Sequence, residues 1–251
     1  MKFIYILLLV ASFIVACKKR TTTLTNTVTC GDNPNINFTC NGTPIGKFGD
    51  CITDLDGNIY KTVTIGTQTW MAENLKTSKY NDGTLIPNIK DSSKWVIDST
   101  GAWCNYRNND SIGKKYGKLY NWYAVSPTTN GNKNVCPTGW HVPSDYEWII
   151  LSEYLGSTDI AGGKMKEIDT TSWISPNINA TNISLFTAVP GGYRDLNNFV
   201  NLKYNGCWWT STESNNNYVA FSRSISLYDG EITKDYNFEK MNGMSIRCIK
   251  D

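Results

Sequence analysis

VPSDYEWIILSEYLG, residues 142–156, decides the fold class of this chain. Ser144, followed three residues later by Glu147, forms the capping-box pattern that opens a helix. An apolar face then recurs at helical spacing: Trp148, Leu151 and Leu155. Gly156 supplies the left-handed residue that commonly ends a helix. The stretch therefore predicts an amphipathic helix with one face packed on a core.

Upstream of this helix the residue pattern is that of a strand pair. In IYKTVTI, residues 59–65, side chains alternate and β-branched residues are frequent, which favours strands. Turn residues flank it, with DGN at 56–58 before it and Gly66 after it. KKYGKLYNWYAV, residues 114–125, carries Tyr and Leu at helical spacing and predicts a first helix.

Beyond residue 186 the chain consists of short alternating segments separated by Gly and Asn. These are FTAVPGGYR, GCWWTSTE, YVAFSRSISL and MSIRCIKD. Two helices followed by a run of short strands indicate an α+β class.

The N-terminus has the organisation of an export signal. Lys2 precedes an almost continuous apolar run at residues 3–15, which is long enough for a secretory signal and too short to span a bilayer. Ala16 directly before Cys17 resembles the bacterial lipobox, in which the cysteine is acylated and becomes the new N-terminus. We therefore expect a lipoprotein signal peptide at residues 1–16 and lipidation at Cys17.

Residues 17–50 are predicted to be a flexible, cysteine-containing tether, and residues 51–251 the folded domain. The tether is rich in Thr, Asn and Gly without strand or helix period, and a random coil of its length spans roughly 30 Å. Cys30 and Cys40 could close a loop within it, or Cys51 could pair with one of them.

Composition narrows the function classes. The formal net charge is only +2 and no basic run is present outside the N-terminus, so we expect no nucleic-acid partner. The chain has one histidine, His141, and no C-x-x-C pair, so we predict no metal, no cofactor and no catalytic residue. Eight cysteines fit an exported protein, whose thiols tend to pair.

Carboxylates are numerous but show no catalytic pattern. DLDGN, residues 54–58, looks like a calcium loop, but the twelfth position of an EF-hand counted from Asp54 is Ile65. A tight turn with side-chain hydrogen bonds explains it better. Glycoside hydrolysis needs two carboxylates across a cleft, and nothing in the sequence pairs Glu73, Glu147, Asp195 or Glu213.

Adjacent tryptophans are the strongest candidates for ligand binding. Trp208 and Trp209 lie in a predicted strand, so their rings point to opposite faces. One of them could stack on a sugar ring, with Tyr193 and Arg194 as polar neighbours. The alternative is that both rings belong to the core.

Six ordered motifs resemble one family. IGTQTWMAENLKTSKYNDG, YGKLYNWYAV, CPTGWHVPSDYEW, FTAVPGGYR, CWWTSTE and SIRCIKD are similar to motifs of the Fibrobacter succinogenes major paralogous domain family. The resemblance runs from about residue 54 to 251. It implies an exported lipoprotein with a C-type-lectin-like fold, in which two helices pack on a small, twisted, mainly antiparallel sheet with many loops.

The resemblance also bears on the disulfides. Cys136 and Cys248 match the end-to-end bridge of C-type-lectin-like domains. Cys207 stands where the family more often has an aromatic residue, which opens a second pairing with Cys104. The calcium-binding tripeptides of sugar-binding lectins, such as Glu-Pro-Asn, are missing from the sequence.

Together these features predict a lipid-anchored protein of the cell envelope, in the outer membrane, on a face that the sequence leaves open. We expect its domain to be a non-catalytic binding or adhesion module, with polysaccharides or envelope glycans among its partners. The alternative is an enzyme on the same fold, either a formylglycine-generating-like oxidase, which needs a reactive cysteine pair, or a glycoside hydrolase.

Overall fold

The computed structural model describes residues 44–251, and these form short helices and strands of the α+β class. The helices of this part are α1 Ser92–Ile97, α2 Asp110–Tyr116, α3 Pro127–Asn130, α4 Asp145–Tyr154 and α5 Thr158–Met165. Two 3-10 turns, Tyr106–Asn108 and Trp122–Ala124, lie between them. The predicted class is confirmed, although these residues contain five helices instead of the expected two.

The capping-box helix is confirmed as α4. The Ser144 hydroxyl accepts a hydrogen bond from Glu147 N, and Glu147 Oε2 accepts one from Ser144 N at 2.7 Å. Leu155 is the C-cap, and Gly156 follows with φ at +115°. Local hydrogen bonds within four residues fix the start of this helix, which explains why the pattern was readable.

The predicted helix over residues 114–125 is wrong. Helix α2 ends at Tyr116, because Gly117 takes φ at +87° and a Cβ there would lie 2.6 Å from the Cβ of Asn74. The following residues form a short strand, Leu119–Tyr120, and then the turn at Trp122–Ala124. Tertiary packing overrides the helical spacing of the aromatic residues.

Most strands are only two residues long. In order they are β1 Lys47–Phe48, β2 Ile52–Thr53, β3 Ile59–Tyr60, β4 Thr62–Ile65, β5 Gln68–Met71, β6 Trp103–Cys104, β7 Leu119–Tyr120, β8 Trp140–His141, β9 Tyr193–Arg194, β10 Phe199–Val200, β11 Asn205–Glu213, β12 Val219–Ser226, β13 Ile232–Glu239 and β14 Ile249–Lys250. β1, β4, β5, β14 and β8 form one sheet in that order, and β11, β12 and β13 form another. All these strand pairs are antiparallel.

The folded unit begins before the predicted boundary at residue 51. Strand β1 pairs with β4, Ile45 N donates to Ile183 O at 2.9 Å, and Ile45 packs against the core. Residues 44–50 therefore belong to the domain and not to the tether. Their pairing is with residues more than ten positions away, so no local pattern indicates it.

One predicted disulfide is confirmed and one is wrong. Cys136 and Cys248 are bonded, with their Cα atoms 6.0 Å apart. Cys104 and Cys207 are buried free thiols. They sit in different hydrophobic clusters, Cys104 with Trp95 and Cys207 with Cys136 and Cys248.

Cys51 is also disulfide-bonded. Cys30 and Cys40, for which a loop was predicted, lie outside the described residues, as does the predicted lipidation site Cys17.

We expect the Cys136–Cys248 bond to be a major contribution to stability, since it closes a loop across a sequence separation of 112 residues. Replacing both cysteines with Ala should lower the free energy of unfolding by about 4–5 kcal/mol in the chain-entropy model. Urea unfolding of the double variant measures this. The matched control is Cys104→Ala, which removes a buried thiol and no bond. Equal losses in the two proteins would contradict the prediction.

Candidate functional site

A cleft of about 280 Å³ lies beside the Cys136–Cys248 bond. It is lined by residues 52–55, by residue 77 with residues 79–81, and by residues 135–138 with Trp140. We call it the disulfide cleft. Its volume is close to the lower end of the range for small-ligand sites, which suits a single ring-sized group.

The cleft has an aromatic floor and a polar rim. Tyr80 and Trp140 are almost completely buried. Burial, with the nearby carboxylates of Asp82 and Asp98, raises the pKa of Tyr80 to about 12, so its hydroxyl stays protonated. The rim carries Thr53, Asn81 and Thr138, of which the two threonines are exposed. A ligand there would meet an apolar base and hydroxyl or amide groups at its edge.

The one carboxylate that lines the cleft, Asp54, is already saturated. Its Oδ1 accepts from Asp56 N and Asn58 N, both at 2.9 Å. Its Oδ2 accepts from Asn58 Nδ2 at 2.8 Å and from the Tyr60 hydroxyl at 2.6 Å. The predicted hydrogen-bonded turn at residues 54–58 is therefore confirmed. A carboxylate with four donors is not free to act as a base or to bind a cation.

Lys79 is the one basic side chain in the cleft lining. Its Nζ lies 3.1 Å from Asp56 Oδ1 and 3.4 Å from Leu55 O. Burial alone would raise the pKa of Asp56, but hydrogen bonds from Ser78 and Lys79 outweigh it and the pKa is lowered. An ammonium has three N–H donors, so Lys79 keeps one for a ligand. Sequence reasoning missed Lys79, Tyr80 and Thr138, since nothing local distinguishes them.

His141 follows Trp140 and is held by two carboxylates. Its Nδ1 lies 2.6 Å from Asp251 Oδ1, and its Nε2 lies 2.8 Å from Glu147 Oε1. Burial lowers the pKa of His141, but hydrogen bonds to Asp251 and Glu147 outweigh it, so the pKa is raised above 6.5. His141 is therefore a hydrogen-bonded histidine whose side chain is 39% exposed.

The predicted tryptophan platform is wrong, because Trp208 and Trp209 are both completely buried. They do point to opposite faces of β11, as the strand period requires. Trp208 packs beside Trp148 and Phe186, with ring centroids 6.0 and 6.3 Å away. Trp209 donates its indole N–H to Tyr120 O at 2.8 Å. Core elements cover both faces of the strand, so neither ring offers a surface to a sugar.

Tyr193 and Arg194 also have structural partners. Arg194 is 1% exposed, donates to Ile89 O at 2.8 Å, and lies over the Trp95 ring at 4.3 Å. The Tyr193 ring packs edge-on against Phe238 at 5.1 Å. The four predicted binding residues therefore do not form a surface site.

A buried polar centre holds Trp208 in place. Asn74 Oδ1 accepts from the Trp208 indole at 2.8 Å and from Arg247 Nη2 at 2.8 Å and Nε at 3.2 Å. Asn74 Nδ2 donates to Tyr116 O at 2.8 Å and to Ser245 Oγ at 3.2 Å. Arg247 is completely buried, also donates to Phe186 O, and has its pKa lowered to about 9 by that burial.

Three side chains that the enzyme alternatives could use, Cys104, Cys207 and Glu213, are protonated or paired. Burial raises the pKa of Cys104 to about 11 and, with the nearby Asp235 carboxylate, raises that of Cys207 further, so neither is a reactive thiolate. Glu213 pairs with Lys240. No group of three or more His, Cys, Asp or Glu side chains in this part is placed to hold a metal ion.

A family model described as the Fibrobacter succinogenes major domain matches residues 63–250. The chain belongs to this family. The match includes most of the lining of the disulfide cleft, the polar centre at Asn74, and helix α4. No curated protein and no solved structure matches the chain. Within residues 44–251, no helix has the length and apolar character needed to cross a membrane.

We expect Asn74→Ala to lower the free energy of unfolding by about 3–5 kcal/mol, because it leaves the charge of Arg247 buried without its main acceptor. Urea unfolding measures this, with Asn88→Ala at an exposed position as the control, expected within about 0.5 kcal/mol of wild type. Adding Arg247→Met should restore part of the loss, since it removes the unpaired charge. Equal stability of the two Asn variants would contradict this account.

Proposed function

We propose that this protein is a lipid-anchored component of the cell envelope whose domain binds a glycan, without catalysis, in the disulfide cleft. The observation that carries the proposal is the cleft itself. It combines the Tyr80 and Trp140 floor with a rim of hydroxyl, amide and ammonium groups. Such a mixture suits a polyhydroxylated ring, which presents apolar C–H faces and a polar edge.

The absence of free catalytic groups at the cleft supports a binding role. Its lining carboxylate, Asp54, has four donors, and its cysteine, Cys136, is in a disulfide. Glycoside hydrolysis needs one carboxyl group as acid and a second as base or nucleophile. Residues 44–251 supply no such pair in the lining of the cleft.

We further propose a C-type-lectin-like fold for the domain. The disulfide from Cys136, just before α4, to Cys248, beside the terminal strand β14, is the feature that favours it. The placement of β14 between β5 and β8 supports it as well, since this last strand joins the sheet that also contains β1. The glycan-binding proposal does not depend on this fold name, because one fold hosts many functions.

The lipid anchor, with outer-membrane location, rests on the sequence of residues 1–17. Cells grown with a palmitate analogue should label the wild-type protein and retain it in the membrane fraction. Cys17→Ser should lose the label and the membrane retention, because acyl chains supply about 0.8 kcal/mol per buried methylene. Cys30→Ser is the matched control and should stay labelled. A labelled Cys17→Ser protein would rule out the anchor.

Filling the cleft should abolish glycan binding without unfolding the domain. Thr138 is exposed at the rim, so Thr138→Trp places an indole over the opening while leaving the core unchanged. On a glycan array that includes bacterial envelope polysaccharides, we expect wild type to bind and the variant to lose at least about tenfold in affinity. Thr170→Trp, at an exposed residue outside the cleft, should bind as wild type does. Equal binding by both variants would exclude the cleft, and no binding by wild type would exclude the function.

A further inference from the structure

One segment of the chain belongs both to the disulfide cleft and to the His141 cluster. Residues 135–138 and Trp140 line the cleft, and His141 is the next residue in strand β8. The segment is held from behind by β14, with Asp251 N donating to Gly139 O at 3.1 Å and Ile249 paired with His141. A change in the side-chain contacts of His141 therefore affects the adjacent backbone that positions Trp140.

The hydrogen bonds of His141 require a charged ring. Both nitrogens face carboxylate oxygens, at 2.6 and 2.8 Å, and a carboxylate accepts hydrogen bonds without donating any when it is ionised. A neutral imidazole has one N–H and one lone pair, so one of its nitrogens would face Asp251 or Glu147 without a proton between them. Only the imidazolium form satisfies both contacts at once.

The other charged groups near His141 are already engaged or point away. Asp145, in the same helical turn as Glu147, pairs with Arg223 at 2.5 Å and with Lys234 at 2.7 Å. On β14, Lys250 lies one residue from Ile249, and strand alternation puts its side chain on the opposite face. The groups that face the ring in residues 44–251 are thus Asp251 and Glu147, both acidic.

We propose that His141 is a pH-responsive latch on the disulfide cleft, which holds the Trp140 segment in place when protonated and loosens it when neutral. That this latch regulates glycan binding rests on the proposed function of the cleft, whereas the effect of pH on the Trp140 segment can be tested without a ligand. Loss of the proton removes one of the two carboxylate contacts. The segment then keeps its pairing with β14 and the disulfide, but loses one of its two side-chain ties, either to Glu147 at the cap of α4 or to Asp251.

Glu147 couples the helix cap of α4 to His141, because its two carboxylate oxygens contact different partners. The same carboxylate closes the capping box, through Oε2 to Ser144, and receives His141 through Oε1. Burial would raise the pKa of Glu147, but hydrogen bonds from Ser144 and His141 lower it. Because folding lowers the pKa of Glu147, this group stabilises the fold at pH values above its ordinary pKa of 4.5. Because folding raises the pKa of His141, this group stabilises the fold at pH values below its ordinary pKa of 6.5. The latch is therefore strongest between about pH 4.5 and 6.5, and it is lost as the pH rises through the folded-state pKa of His141.

The single histidine makes the test direct. The full-length chain, prepared in detergent without a histidine tag and labelled with ¹⁵N, gives the two nitrogen signals of a single imidazole, whose pH titration reports His141 alone. We expect its pKa above 6.5 in the wild type. Glu147→Gln keeps the capping interaction, since Gln also serves in a capping box, and Asp251→Asn changes an exposed side chain. Each should shift the pKa of His141 downward.

The latch requires that the cleft respond to the same titration. The Trp140 amide and indole signals should move with the midpoint of His141, while the Trp95 indole, buried in another cluster, should not. In His141→Gln the Trp140 signals should be independent of pH over this range. A His141 pKa at or below 6.5, or Trp140 signals that ignore its titration, would overturn the proposal. Neither result would contradict the proposal that the cleft binds a glycan, which the glycan array tests separately.

Discussion

The buried contact between Asn74 and Arg247 is the constraint on which the rest of the structure depends. The Arg247 guanidinium has no exposed surface, and the Glu73 and Glu167 carboxylates act on it without forming an ion pair within 4.0 Å, so it is tolerable only if uncharged acceptors surround it. Asn74 and the carbonyl groups of Phe186 and Thr187 supply them. Because the same Asn74 oxygen receives the Trp208 indole, three distant segments must meet at one point before any of them is satisfied.

This requirement explains why the aromatic motifs are structural. Trp208 and Trp209 belong to separate clusters on the two faces of β11, so this strand joins the halves of the core. Arg194 stacks on Trp95 in a comparable way and anchors β9 to the loop before α1. These groups are committed to packing, whereas the disulfide cleft exposes Thr53 and Thr138 at its rim, above the almost completely buried Tyr80 and Trp140.

The cleft and the His141 cluster share a structural origin. The Cys136–Cys248 bond and the pairing of β8 with β14 bring the end of the chain beside the start of α4. That junction places Asp251, His141 and Glu147 in contact on one side and leaves the cleft on the other. The cap of α4, Asp251 and the disulfide cleft are thereby connected through one histidine, which is the connection on which the proposed pH latch depends.

Features set by residues close in the chain were readable from the sequence alone. The capping box of α4, the turn at Asp54, the α+β class and the opposite orientation of Trp208 and Trp209 all follow from hydrogen bonds or side-chain periods over a few positions. The Cys136–Cys248 bond came from the family motifs. Only the tertiary structure decided that both tryptophans are covered and that Cys104 and Cys207 lie in different clusters. It also decided that α2 ends at Tyr116, before Gly117, and that residues 52–55, 79–81 and 135–138 with Trp140 line one cleft. The burial and proximity of these residues depend on which segments pack together, and such segments can be a hundred residues or more apart in the chain. The local residue pattern of a segment does not specify these tertiary contacts.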